Sequence, residues 1–320
     1  MRFVESQVVN GNGLIDSIAL LSVYAKSMNT VISAQLEIDT TEINACAFSP
    51  DGTRLLTGSH GNPMQLWDVH TGRCLRTFDG HTDMVYALQW SPDQKQCLSG
   101  AYDGTIRLWS VDSGRSLQVF EGNKGYVRAV DSSSDWKWML SGSGDGTVRL
   151  WELESGRCML VLKGHTDGVY DVAFSPDRSY ALSTSRDTTV RLWDLGKQKC
   201  LKVFEGHTYH VQDVAWSDDQ RRALSSSMDV RLWNVNTGQC VRVLEGHSQV
   251  IRSVSWSADQ NYVLSGSHDG TVRLWELDSG RCTKVFDGHK VGVVCASWTP
   301  DQRSVLSCDW SGGIRKRDVG

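Results

Sequence analysis

The chain of 320 residues carries 33 Lys and Arg against 37 Asp and Glu, a formal net charge of −4, with 40% hydrophobic and 22% charged residues. That length can bury a sizeable core or several small ones. The charge balance gives no support for a nucleic-acid-binding domain of the basic kind, and no stretch approaches the ~20 apolar residues that span a bilayer.

The most apolar run near the start is "LIDSIALLSVYA", Leu14–Ala25. Leu14, Ile18, Leu21, Ala25 and Met28 step by three and four, which predicts a short helix. Asp16 interrupts the run, and Arg2 and Glu5 precede it without a basic cluster, so it does not read as a signal peptide. Residues 1–28 are expected to form an N-terminal extension, a short helix or a tail, ahead of a domain over 29–320.

Beyond it the sequence repeats. Gly-His ends at His81, His165, His207, His247 and His289, at intervals of 84, 42, 40 and 42. Asn123 stands at the skipped position. A second ladder, the Trp of "LW", runs through Trp67, Trp109, Trp151, Trp193, Trp233 and Trp275, and its next rung falls on Arg317. Seven units fit both ladders, the last one degenerate. Within unit four, "GVYDVAFSP", "YALSTS", "TVRLWDL" and "CLKVFEG" read as four short strands separated by turn signals. A period near 42 built from four strands predicts an all-β ring of four-stranded antiparallel blades.

With the Gly-His, Ser-x-Asp-Gly and Leu-Trp-Asp signals in phase, the sequence resembles the WD40-repeat β-propeller family, in particular its highly regular bacterial members. The resemblance covers residues 30–320 and implies a seven-bladed propeller. The seventh unit ends after its third strand, and Asn29–Ile38 align with a fourth-strand sequence. The N-terminal strand is therefore expected to complete the last blade and remove its unpaired edge.

The resemblance also implies a buried hydrogen-bonded tetrad in each complete unit: His81, Ser99, Asp103 and Trp109; His165, Ser183, Asp187 and Trp193; His247, Ser265, Asp269 and Trp275. Ser, His and Asp together suggest a hydrolase, but a nucleophile must be unique and reachable. A set stamped out around a ring is scaffold, and no metal or cofactor is expected. Unit one departs from the pattern with Asp39 for His and Gly61 for the turn Asp, and unit seven with Ser311 for Asp and Arg317 for Trp. Unit five loses two residues at the Met228–Asp229 turn, which must tighten. Units one and seven are expected to be the least stable.

Three rows of positions share one face of the ring. Before the turn Asp stand His60, Tyr102, Gly144, Arg186, Met228, His268 and Trp310. Early in strand one stand Asn44, Tyr86, Arg128, Tyr170, Gln212, Arg252 and Val294, and two residues earlier Glu42, Met84, Tyr126, Gly168, His210, Val250 and Gly292. These residue types favour interface hot spots. The stretches "LSGSGDGTVRLWEL" from Leu140 and "LSGSHDGTVRLWEL" from Leu264 differ only at Gly144 and His268, which reads as a position with no fixed structural task.

The predicted binding face comprises Tyr86, Arg128, Tyr170, Arg252, Tyr102, Arg186, His268, Trp310, Tyr126, His210, Met84 and Met228. With one acid among the rows and three Arg, it suits an acidic peptide on a protein partner. The expected function is a non-enzymatic, monomeric cytoplasmic scaffold. Nucleic-acid binding through the Arg/Tyr face is the alternative; a channel enzyme would need a cluster of inner-strand carboxylates or His, which the sequence reading does not find. Nine cysteines, five of them once per repeat and none at metal-ligand spacing, read as buried or half-buried thiols of a reducing cytosol.

Overall fold

Each repeat folds as four short antiparallel strands, and seven such sheets make up the described chain. A computed structural model describes residues 35–37, 42–61 and 63–320. All of these lie in the unit spanning 33–320. The helix expected over Leu14–Met28 and the substitution at Asp39 fall outside the described residues.

Blade 4 illustrates why the segments become strands. Val190 and Leu192 alternate with half-buried Arg191 along the third strand, Val190–Asp194, and the second strand, Tyr180–Ser185, is buried from Ala181 onward. The fourth strand, Lys199–Phe204, alternates exposed and half-buried residues because it forms the rim. A strand with one apolar face must bury it against another layer. Here that layer is the next blade: Leu182, Val190, Leu192 and Phe204 pack against Val214, Ala223 and Trp233 of blade 5. The core is thus distributed between blades. The ladder Trp residues are buried in it, each removing on the order of 200 Å² from water, about 5 kcal/mol of transfer free energy.

Blade 7 takes its outermost strand from the start of the chain. Gln35, Leu36 and Glu37 pair antiparallel with Arg315, Ile314 and Gly313. The ring therefore closes by mixing the two ends of the chain in one sheet, as the alignment of Asn29–Ile38 led us to expect.

The first strand of every blade is innermost, and together these seven strands line a central cavity of about 240 Å³. Six of them carry a register shift at their second residue, so that Asn44, Tyr86, Arg128, Tyr170, Arg252 and Val294 are bulged residues. A bulge leaves one residue unpaired and re-aims its side chain.

The expectation for the cysteines needs correction. Cys74, Cys158 and Cys240 are exposed, because they begin rim strands. Cys46 and Cys295, on the inner strands of blades 1 and 7, are joined in a disulfide.

Candidate functional site

The tetrad residues meet in blades 2, 4 and 6. In blade 2, His81 Nδ1 lies 2.8 Å from Asp103 Oδ2 and Nε2 lies 2.7 Å from Ser99 Oγ, which accepts the Trp109 indole N–H at 2.7 Å. His165, Asp187, Ser183 and Trp193 repeat this at 2.8, 2.7 and 2.8 Å. His247, Asp269, Ser265 and Trp275 do so at 2.8 Å throughout. A fifth member, which sequence reasoning missed, is the Thr two residues after the Asp. Thr105, Thr189 and Thr271 donate their hydroxyls to the second carboxylate oxygen at 2.7, 2.6 and 2.6 Å. Burial alone would raise the Asp269 carboxyl, but hydrogen bonds from Thr271 and His247 outweigh it and bring it down to about 2. The cluster is closed, and each serine is already committed to His and Trp.

The predicted face separates into two groups. Blades 2 to 5 carry a continuous aromatic arc. The Tyr86 and Tyr102 rings lie 5.7 Å apart, and Tyr102 stacks on Tyr126 at 4.6 Å with planes 2° apart. The Arg128 guanidinium sits 3.7 Å from the Tyr170 ring centroid and 5.4 Å from that of Tyr86. Tyr170 meets His210 edge-on at 5.8 Å, and His210 stacks on Tyr209 at 4.3 Å, extending the arc by a residue outside the predicted set. Met84 Sδ accepts the Tyr86 hydroxyl at 3.7 Å. Across the ring His268 and Trp310 form a separate pair at 4.4 Å. Within the predicted set, Tyr102, Met228 and Trp310 are each at least 40% exposed and open to a partner. Arg186 is exposed and 3.7 Å from exposed Asp167, a weak pairing.

Arg128 and Arg252 lie deeper, among the residues lining the central cavity. Arg128 donates to Gln212 Oε1 at 3.0 Å and Arg252 to the Asn44 carbonyl at 3.4 Å; neither forms an ion pair with a carboxylate among the described residues. Burial and the Arg128 charge pull the Arg252 guanidinium down to about 10. Burial together with Arg252 and Arg128 pulls the His268 imidazole down to about 4. Asp171 and Asp213 line the same cavity, and the Asp213 charge opposes the fall at Arg252.

The sequence reading shows no cluster of inner-strand carboxylates or His, and the structure corrects this: Asp131, Asp171 and Asp213 stand on the inner strands of blades 3, 4 and 5, with Asp171 and Asp213 in contact. The "VYDVAF" alternation conceals them because their partners lie a blade away. Asp131 accepts the Phe174 N–H at 2.8 Å, Asp171 the Val214 N–H at 2.9 Å, and Asp213 the Val254 N–H at 2.6 Å. Burial pushes the Asp131 carboxyl up to about 6. It pushes Asp171 up as well, helped by the charge of Asp213. These groups tie blade 3 to blade 4, blade 4 to blade 5 and blade 5 to blade 6.

The family model described as "WD domain, G-beta repeat" matches residues 31–68, 72–110, 114–152, 156–194, 198–234, 238–276 and 280–318. The chain belongs to the WD40 family. Its resemblance to curated WD40 relatives is confined to short segments. It is 53% identical over 34 residues to the probable E3 ubiquitin ligase complex SCF subunit sconB of Arthroderma otae, covering 11% of this chain and 5% of that protein. It is 38% identical over 53 residues to periodic tryptophan protein 2 of Saccharomyces cerevisiae, covering 17% and 6%. It is 40% identical over 43 residues to dynein assembly factor with WD repeat domains 1 of Xenopus laevis, covering 13% and 10%. The matched segments thus span a tenth or less of these relatives.

Not every WD40 repeat of the ring carries the full tetrad. In blade 3, Asn123 replaces His, and Arg149 turns inward to hold Asp145 at 2.8 Å and Asn123 Oδ1 at 3.2 Å, while Trp151 keeps Ser141 at 2.9 Å. Blade 5 holds His207 2.8 Å from Asp229 despite its shortened turn, with Trp233 on Ser225 at 2.7 Å. Blade 1 retains Trp67 on Thr57 at 2.8 Å. Blade 7 corrects the expectation that Ser311 stands for Asp. Asp309, two residues earlier, lies 2.7 Å from His289 Nδ1, and His289 Nε2 lies 2.7 Å from Ser307 Oγ. Gly313 makes this possible, since a Cβ there would collide with the Asp309 carboxylate.

Proposed function

We propose that this WD40 propeller is a non-enzymatic scaffold whose mouth, on the Tyr/Arg face, receives an acidic segment of a protein partner. The observation that carries the reading is the cavity wall: two guanidiniums, Arg128 and Arg252, share one cavity without a carboxylate ion pair, and aromatic rings frame its entrance. Asp171 and Asp213 line the same cavity, but they accept backbone N–H groups and burial raises both carboxyls. An incoming carboxylate is therefore the better partner for the two guanidiniums and is directional for Arg in a way that a neutral group is not. Tyr102 and Trp310 offer rigid apolar area, the usual composition of an interface hot spot. The names of the matched relatives, an SCF subunit and an assembly factor, support a role in assemblies.

The test pairs a defined probe with capture from native lysate. A fluorescein-labelled glutamate-rich decapeptide is titrated against the wild type and against the exposed-residue variant Tyr102→Ala/Arg186→Glu/Trp310→Ala. At least ~10-fold weaker binding by the variant is expected, as hot-spot truncation produces, with an unchanged melting temperature because these side chains are exposed. A glutamine-rich peptide is expected not to bind. Equal affinity for both peptides would remove the acidic reading, and a lysate partner retained equally by the variant would move the site off this face.

A further inference from the structure

Three successive blade junctions, from blade 4 to blade 7, share one pattern. Numbering along the inner strand, the third residue of one blade bonds the fourth residue of the next, whereas blades 1, 2 and 3 carry Ala45, Ala87 and Ala129 at that third place. Asp171 accepts the Val214 N–H at 2.9 Å, Asp213 the Val254 N–H at 2.6 Å, and the Ser253 hydroxyl the Ala296 N–H at 3.0 Å. At the junction from blade 7 to blade 1, the third residue is Cys295 and the fourth is Cys46. Their side chains are bonded to each other, across a Cα–Cα distance of 6.3 Å and a sequence separation of 249. Where the three preceding junctions have a side-chain-to-backbone hydrogen bond, this one has a covalent link.

It joins two blades whose tetrads are incomplete. Trp67 of blade 1 bonds Thr57, but Gly61 stands at its turn-Asp position; blade 7 has Arg317 in place of the ladder Trp. Both cysteines are half-buried, line the central cavity and pack against the apolar cluster between blades 1 and 7. Of the seven other cysteines, Cys200 and Cys282 are half-buried on rim strands, Cys97 and Cys308 are buried, and burial pushes the Cys97 thiol well up, so it is a poor nucleophile.

We propose that Cys46–Cys295 is a reversible covalent latch at the blade 7–blade 1 junction, closed and opened by small disulfides and thiols that reach it through the cavity. Closure is thiol–disulfide exchange. The thiolate of one cysteine attacks a sulfur of a small disulfide and releases one small thiol. The second cysteine then attacks the mixed disulfide and releases the other. Two electrons and two protons pass from the protein thiols to the small disulfide, and reduction by a small dithiol reverses both steps. Opening leaves the junction with its noncovalent packing, chiefly Ile43, Leu55 and Trp67 against Val294, Cys308 and Ile314.

The test uses the full chain with Cys74, Cys158 and Cys240 replaced by Ser, so that exposed thiols do not cross-link molecules. Samples equilibrated with oxidised glutathione or with dithiothreitol are alkylated and peptide-mapped by mass spectrometry, and their melting temperatures are compared. Oxidised glutathione is expected to yield the linked Cys46 and Cys295 peptides, and dithiothreitol to yield both alkylated. Reduction should lower the melting temperature by roughly 5–10 °C, the effect of opening a loop of this length. Adding Cys46→Ser or Cys295→Ser should fix the melting temperature at the reduced value in either buffer. If those variants do not fold, the mapping still decides, since it needs neither. Both cysteines alkylated after oxidised glutathione would overturn the proposal, as would a melting temperature indifferent to reduction.

Discussion

At Gly144 a side chain is missing because a neighbour has taken its space. A Cβ at this position would collide with carbons of the Tyr126 ring, which packs against the glycine while stacking on Tyr102. The reading of Gly144 and His268 as one freely variable position is therefore wrong for blade 3. In blade 6 the residue matching Tyr126 is Val250, and His268 is instead accommodated by Gly292 of the next blade. Gly144→His is expected to cost about 1–3 kcal/mol of stability through overpacking, and Tyr126→Gly on the same chain to restore most of it, as read from urea denaturation midpoints. Two additive losses would show that the sites are uncoupled. Residues repeated in phase, such as His165, Ser183, Asp187 and Trp193, were legible in the sequence because repetition marks them. Asp309 was not, because its carboxylate moved two residues along the strand and depends on the space left by Gly313.

The inner strands show how an element can serve the ring and the mouth at once. The bulge at the second residue turns Tyr86, Arg128, Tyr170 and Arg252 into one row at the cavity, and the residues beyond it make the contact to the next blade. Asp171 and Asp213 divide that task unequally. Each accepts two backbone bonds, Asp213 from Val214 at 2.8 Å and Val254 at 2.6 Å, Asp171 from Val172 and from Val214 at 2.9 Å. In the hydrogen bond between the two carboxyls, however, Asp171 is the raised, donating partner and Asp213 the acceptor. An amide at 171 can keep its backbone bonds and donate toward Asp213; an amide at 213 must point a donor at a donor. Asp171→Asn should therefore be tolerated, and Asp213→Asn should lose about 1–3 kcal/mol, the cost of an unsatisfied buried group. Equal melting temperatures for the two variants would argue against this division. Strand type and phase could be read from the sequence, since alternation and turn residues are local. The carboxylate seam could not, because each bond reaches a backbone N–H some forty residues away.

For the whole molecule these groups set how stability depends on pH. Burial lowers the imidazoles of His165, His207 and His247, against the pull of their Asp partners. Their contribution is present above the unfolded value near 6.5 and is lost as pH falls through the folded values. Asp131, Asp171 and Asp213 are raised, so their contribution is present below 3.8 and lost as pH rises, for Asp131 through about 6. The two sets oppose each other over the same interval. Urea midpoints should be nearly level from pH 7 to 4, then fall below 4 as the depressed carboxylates such as Asp269 take up protons. In Asp171→Asn one opposing group is gone, and the acid decline should begin nearer pH 6.5. A steep wild-type decline between pH 7 and 5 would contradict this balance. The seven-bladed architecture itself was written plainly in the two ladders. The closing junction also decides how the protein bears force. Handles attached at Gln35 and Gly320 would first load the three-residue pairing of Gln35–Glu37 with Gly313–Arg315. Once it parts, tension passes through Cys46–Cys295, and the 249 residues of separation between them, roughly 850 Å of contour, stay slack. The same pull on the reduced chain can peel the blades away one after another.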